Sequence, residues 1–449
     1  MFEISSMLLT NAHIFDGTGG EEIPHGAIWI EGDEIRRVGP IAEFDDIPDN
    51  LPRFDVGGRF VMPGLTESHT HLSYNNVLTF QDLDIKSGPE TATINTLNNA
   101  RKLLRCGFTS AYSFGSIFAI DVAVRDAINA GLAPGPRFVA AGRDVMGTSG
   151  SVDWNPDYMK LGMEGLALLA DNPWEVRKAV RKIRKGGADN VKVYLDGDEL
   201  TPHNLAGELS YTQEEANAAV DEGKRHGLDT IVHAKAANAV SMAVEAGFDV
   251  IAHANFVDDE ALARLTEVKH RIFVTPTVNY FVSMYANGPS FGFPKSLIDQ
   301  MYKEEFAETI ASVNKMRKAG IKVLPGGDFG FAWAPHGENA HDLQNFVELF
   351  GYTERETLVA ATRDAGSMIN KDGMVGTLEA GKFADIIVVD GNPLDDITVL
   401  QDLDKITTVI KGGKIFHNSL PTGPQYDLDR RPGFTLDSLV KAATTDATA

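Results

Sequence analysis

Two histidines with one residue between them, His69 and His71, close the stretch Val61-Met62-Pro63-Gly64-Leu65-Thr66-Glu67-Ser68-His69-Thr70-His71-Leu72. The apolar entry and the Pro-Gly turn read as a strand that ends at chemistry. Alternate strand residues share a face, so both imidazoles point the same way. Two converging imidazoles are half of a first-row metal's coordination shell. His-x-His alone also fits packed or exposed histidines, so the rest of the chain decides. Lys192 lies inside Asn190-Val191-Lys192-Val193-Tyr194, His233 and His253 end two later apolar runs, and Asp328 follows Gly326-Gly327. Singly, each histidine reads as strand-end packing and Asp328 as a cap. Together the six residues supply the nitrogen and oxygen donors of a metal centre. A lysine flanked by valines faces an interior, where burial lowers its pKa and leaves an amine nucleophilic toward carbon dioxide. A carboxylated Lys192 would offer two oxygens and could bridge two metals. An ordinary lysine would instead pair with Asp328, at a one-metal site or none.

The elements that must position these residues alternate strand and helix. Strands are predicted at 60–69, 109–114, 136–143, 190–196, 230–234, 249–254, 271–278 and 321–328. Helices are predicted at 91–106, 118–130, 174–185, 213–226, 236–246, 259–268 and 297–319, with a helical pair at 340–350 and 354–369. Thr212-Gln213-Glu214-Glu215 has the form of a capping box, and Gly227 closes that helix. Eight such units over residues 63–372 predict an α/β fold, a (β/α)8 TIM barrel. Chemistry in such barrels sits at the C-terminal strand ends, which is where the six residues fall. A doubly wound open sheet is the alternative, but no Gly-rich phosphate fingerprint opens a helix. Short β-rich runs separated by turn clusters flank this middle on both sides. They predict a small β domain composed of residues 1–62 plus 373–418, and residues 419–449 read as a C-terminal arm.

The bulk properties exclude several classes. With 43% hydrophobic and 23% charged residues the chain is that of a soluble globular protein. Subtracting 63 acidic from 41 basic residues gives −22, which argues against nucleic acid and anionic membrane surfaces as partners. Cys106 is the only cysteine, so no intrachain disulfide forms. The segment Met1 to Leu9 has Glu3 and no basic residue, unlike a signal peptide, and no apolar run is long enough for a membrane span. A cytoplasmic enzyme acting on a small molecule is expected.

In this order along a barrel, His69-Thr70-His71, Lys192, His233, His253 and Asp328 resemble the two-metal centre of the amidohydrolase superfamily. Ala334-Pro335-His336-Gly337-Glu338-Asn339-Ala340 and Gly376-Thr377-Leu378-Glu379-Ala380-Gly381-Lys382-Phe383-Ala384-Asp385 are similar to its imidazolonepropionase-like branch. That branch includes Xaa-Pro and other dipeptidases and ochratoxin-hydrolysing amidases. The resemblance covers about residues 7–418 and implies a composite β-sandwich made by both termini, together with two divalent metals. Zinc is the expected ion, and manganese, cobalt or nickel would suit the same donors. His69, His71 and Asp328 would hold the more buried metal, His233 and His253 the more exposed one. Lys192, carboxylated from carbon dioxide or bicarbonate, would touch both. The resemblance further implies homo-oligomers. One loop departs from it: related dipeptidases carry a Gly-Gly-His type sequence where this chain has Met146-Gly147-Thr148-Ser149-Gly150-Ser151.

The chemistry expected is hydrolysis of a linear amide, such as an N-acyl amino acid, a dipeptide or an aryl amide. A metal-bridging hydroxide would be the nucleophile and Asp328 the catalytic proton carrier. The same site acting on a cyclic amide, urea, carbamate or lactone is the alternative, and a non-catalytic binding or assembly relative is a remote one. Trp154, Tyr280, Phe281, Tyr285, Phe329, Phe331 and Trp333 on the following loops suggest a substrate with an apolar or aromatic part. Arg143, Lys235 and His336 are the candidates for gripping a carboxylate or carbonyl.

Overall fold

The structure is a computed structural model that describes residues 6–159, 165–201, 203–369 and 372–428. Both ends of the chain meet in one hydrogen-bonded sheet of eight strands. Ser6–Ile14, Ile23–Glu31, Glu34–Pro40, Arg53–Asp55 and Phe60–Pro63 come from the first part, and Ile386–Val389, Ile406–Lys411 and Lys414–Asn418 from the last. The join is antiparallel: Pro63 stands opposite Ile386 and Phe60 opposite Val389. Alternation along these strands turns Met7, Leu9, Ile28, Ile30, Val61 and Ile386 into one shared core. Seven of the strands run as one path, and Arg53–Asp55 branches off it to pair with Ser6–Ile14.

The middle of the chain builds parallel sheets. Leu65–Thr70, Phe108–Ser113 and Arg137–Val139 form one of three strands. A second, of seven strands, runs in the order Ala167–Leu169, Asp144–Met146, Asn190–Tyr194, Asp229–Ala236, Val250–Phe256, Phe273–Thr275 and Lys322–Val323. Backbone contacts link the two at both sides. The carbonyl of Ala140 accepts from the amides of Asp189 and Asn190, and the Asp328 amide donates to the His69 carbonyl at 3.3 Å.

Helices cover these strands close to the expected bounds, because each carries its own punctuation. Thr212 and Glu215 form the reciprocal capping box that starts Gln213–Arg225, and Gly187 in the left-handed region ends Pro173–Gly186. Four predicted elements need correction. The run 60–69 is two strands, Phe60–Pro63 in the terminal sheet and Leu65–Thr70 in the first parallel one. The run 136–143 supplies only the strand Arg137–Val139, and Asp144–Met146 is a separate strand in the other sheet. The strand expected at 271–278 stops at Thr275, and Val278–Asn287, an apolar run without polar periodicity, is helical. Of 321–328 only Lys322–Val323 is ladder-paired. Residues 419–428 of the expected arm are described and Tyr426 bridges to Asn418; the remainder lies outside the described residues.

One residue separates the terminal sheet from the first parallel strand. The chain leaves Phe60–Pro63, passes Gly64, and enters Leu65–Thr70. A Cβ at Gly64 would stand 2.1 Å from Oγ1 of Thr109 on the neighbouring strand, so only glycine lets the two backbones approach this closely.

Candidate metal centre

The six residues singled out by sequence converge. Nε2 of His71 lies 3.3 Å, and Nε2 of His69 3.6 Å, from Oδ1 of Asp328. One donor atom from each of the three lies within 4.8 Å of the others. His253 places its ring centroid 5.6 Å from that of His69 and 4.3 Å from that of His233. Lys192 points its Nζ over the Phe114 and Tyr194 rings, at 4.8 and 5.3 Å from their centroids. All six residues line one cavity.

Every imidazole has one ring nitrogen occupied by an oxygen outside the group. Nδ1 of His69 meets Oγ1 of Thr275 at 3.3 Å, and Nδ1 of His71 meets the Gly115 carbonyl at 3.1 Å. Nδ1 of His253 meets Oγ1 of Thr277 at 2.8 Å, and Nε2 of His233 meets the Gly197 carbonyl at 3.3 Å. In His69 and His71 the opposite nitrogen, Nε2, faces Oδ1 of Asp328. This is the arrangement that fixes tautomer and orientation in metal-ligating histidines. Burial, reinforced by the positive charge of Lys192, holds His71 down at about 3 and the other three well below the usual imidazole value. The rings are therefore neutral, the form that binds metal.

Burial pushes the Lys192 amine down and the Asp328 carboxyl up, and the attraction between the two opposes both shifts. Asp328 Oδ1 is buried and accepts no hydrogen bond. A carboxylate oxygen in that state is expensive unless a cation faces it. The donor set, its neutral imidazoles and this orphaned oxygen fit a divalent metal.

The backbone is strained where it delivers these groups. Thr277, His253 and Asp328 have φ of 56°, 77° and 56°, a region that non-glycine residues rarely occupy. Such conformations cost about 1–3 kcal/mol each and persist where the surroundings impose them.

The other sequence candidates fall in different places. Tyr280 and Lys235 line the cavity, as do Phe281 and Phe331. Lys235 is already committed, with Nζ 2.8 Å from Oε1 of Glu305. Phe329 and Trp333 are fully buried, Trp333 stacking on Phe331 behind the wall. His336 packs behind His71, its Nε2 3.2 Å from the His71 carbonyl. Arg143 is not among the cavity residues, and Trp154 donates to Asp84 from its indole nitrogen.

Sequence reasoning missed the residues that hold the site from behind. Glu67 accepts from the amides of His69 and Gly327 and from the Asn339 side chain, and burial pushes it up to about 8. Asp196 accepts from the amides of Lys235, Ala236 and Gly207. Asp144, fully buried, fills the hollow at Gly115, where a Cβ would lie 2.1 Å from its Oδ1. The acidic run Asp196-Gly197-Asp198-Glu199 directly after strand four was a visible signal for part of this shell.

Known proteins resemble this chain over most of its length. The sequence profile of the Amidohydrolase family matches residues 60–416. Ochratoxinase of Aspergillus niger is 26% identical over 426 aligned residues, covering 88% of this chain and 84% of its own. Imidazolonepropionase of Geobacillus kaustophilus is 23% identical, covering 88% and 91%. Among solved structures, a Xaa-Pro dipeptidase with methionine bound in its active site superposes with a TM-score of 0.81 at 27% identity, over 92% of this chain and 99% of that one. The crystal structure of the A. niger ochratoxinase gives 0.81 at 25% identity, over 97% and 100%. The chain belongs to the Amidohydrolase family and is a hydrolase acting on C–N bonds. Among the described residues no helix is long and apolar enough to cross a membrane.

Proposed function

We propose that this member of the Amidohydrolase family hydrolyses a linear amide with an apolar or aromatic part: an N-acyl amino acid, a dipeptide or an aryl amide. Its centre would be two divalent metals, zinc being the expected ion, held by His69, His71, Lys192, His233, His253 and Asp328. The observation that carries the reading is the trio of His69, His71 and Asp328, with an unpartnered carboxylate oxygen between two neutral imidazoles. It takes the two parallel sheets as one closed (β/α)8 barrel, which the Asp328 to His69 backbone bond supports. The paired terminal strands are taken as the composite domain of residues 1–62 and 373–418.

Bound there, the metals would supply a water that ionises near neutral pH and a Lewis acid for the substrate carbonyl. Lys192, buried and depressed, would be carboxylated by carbon dioxide to complete the donor set. Oδ1 of Asp328 is the atom placed to take a proton and pass it to the departing nitrogen, which an amide leaving group requires. Tyr280 and Phe281, with Phe331, would hold the apolar part and exclude water. The ochratoxinase and the Xaa-Pro dipeptidase among its relatives support a linear amide.

The test is a mass-spectrometric hydrolysis screen of enzyme supplied with zinc and bicarbonate, with Lys192→Ala as control. Dipeptides, N-acyl amino acids, aryl amides, ureas, carbamates and lactones would be offered. Cleavage of one amide class by the wild type and not by the variant is expected. Cleavage of ureas, carbamates or lactones alone would overturn the leaving-group assignment.

A further inference from the structure

Away from the metal ligands and beside the aromatic residues, the cavity wall includes Lys235, Asp198 and Tyr302. Lys235 follows His233 by two residues on the strand Asp229–Ala236, so both side chains leave the same face. Its ammonium is paired with Glu305 of the long helix Lys295–Ala319 at 2.8 Å, and both side chains are almost fully buried. That pair is internally neutral. Lys235 is therefore spent on Glu305, and Asp198 lines the cavity beside it.

Asp198 is the charge left over. Its Oδ2 accepts from the Ser151 hydroxyl at 2.7 Å and its Oδ1 from the Leu200 amide at 2.8 Å. Both donors are neutral, so they orient the carboxylate without neutralising it. Ser151 is itself fixed, because the hydroxyl of Thr201 donates to its carbonyl. Glu199 stands beside the group, pushed up by burial to about 7, and adds a partial negative charge. A largely buried, uncompensated carboxylate facing a cavity is stabilised by a cation and opposed by an anion.

We propose that this cavity selects amides carrying a positively charged group, a primary amine or other basic side chain, and that Asp198 is the residue that reads it. The proposal rests on the amide-hydrolase reading and reverses the charge expected when Lys235 was a candidate for gripping a carboxylate. Ser151 acts as a positioning residue for Asp198.

Two sets of matched amides test it on metal-loaded enzyme. The p-nitroanilides of hexanoic acid, 6-aminohexanoic acid and adipic acid vary charge on the acyl side. The benzamides of pentylamine, 1,5-diaminopentane and 5-aminopentanoic acid vary it on the leaving side. In one of the sets the cationic member should exceed the neutral one by at least about tenfold in kcat/KM, a difference of about 1.4 kcal/mol, and the anionic member should be poorest. Asp198→Asn should collapse the cation-to-neutral ratio to within about threefold, Asp198→Glu should restore part of it, and Ser151→Ala should lower it. A neutral or anionic member leading in both sets, or an unchanged ratio in Asp198→Asn, overturns the proposal. Calorimetric binding of hexyltrimethylammonium against hexanol gives a readout that needs no turnover. Equal binding of the two refutes cation selection even if amides are cleaved. Cation binding lost in Asp198→Asn, with no amide hydrolysed, upholds the selection and refutes the amide reading instead.

Discussion

Nε2 of His71 stands 3.3 Å from Oδ1 of Asp328, although more than 250 residues separate them in the chain. The contact fixes the carboxylate oxygen beside two neutral imidazoles, at the point where proton transfer would occur. Asp328→Asn keeps the shape and one ligand oxygen but cannot carry the proton. Bound metal, measured by elemental analysis, should stay within about twofold of wild type. Turnover should fall by about 10²- to 10⁴-fold, the range for lost acid-base help. Turnover equal to wild type would remove Asp328 from the mechanism.

Thr277 holds Nδ1 of His253 with a hydroxyl at 2.8 Å. Thr277→Val keeps the β-branched shape and the same left-handed backbone, so only the hydrogen bond is lost. Metal affinity measured against a competing chelator should drop about 10- to 100-fold, as for other removed partners of ligating histidines. An unchanged affinity would show that His253 is oriented by packing alone.

Gly64→Ala should be poorly tolerated. The new methyl would meet Thr109 at 2.1 Å, and overpacking of this kind costs about 1–3 kcal/mol. Thermal unfolding should show the loss, and Thr109→Ala in the same chain should recover part of it. Full stability in the single variant would mean that the two strands separate freely.

Glu222, on the outer helix Gln213–Arg225 and not among the cavity residues, gives a pH-dependent test. It accepts from Arg181 at 2.6 Å, Arg177 at 3.1 Å and His226 at 3.0 Å, and those partners, Arg181 first, hold its carboxyl at about 2 instead of 4.5. A depressed folded pKa contributes stability that is complete above the unfolded value and disappears as the pH falls through the folded one. Glu222→Gln should therefore lose about 1–2 kcal/mol at pH 7, discounted because Arg181 is half exposed. The difference should be constant from about pH 8 to 6 and shrink below about pH 4.5. A difference that grows on acidification would contradict the ion-pair account.

The candidate ligands were legible because their chemistry is local: His-x-His shares a strand face, Lys192 is flanked by valines, His233 and His253 end apolar runs, and Asp328 follows Gly326-Gly327. Their spatial order followed from the strand-helix alternation. The supporting contacts were not legible, since Thr275 and Gly115 meet His69 and His71 from strands far along the chain. Nor does sequence give a side chain's direction at a strand end, which is why His336 lies behind His71 and Arg143 outside the cavity. Lys235 was found as a charge, but its partner Glu305 lies on a helix 70 residues later and changes what that charge can do. The helix Val278–Asn287 was missed because a short apolar run carries no period that separates helix from strand.

The single-residue passage at Gly64 has a bearing on how the protein is made. Phe60–Pro63 pairs on one edge with Ser6–Ile14 and on the other with Ile386–Val389, more than 300 residues downstream. At about 5–20 residues per second of synthesis, that edge waits tens of seconds, while the adjoining strand with His69 and His71 already has its local neighbours. The terminal sheet is thus completed last, by the end of the chain that carries none of the six candidate residues. A nascent chain released before residue 389 would leave that edge of Phe60–Pro63 unpaired. C-terminal truncation would then open the terminal sheet without removing any of the six candidate residues.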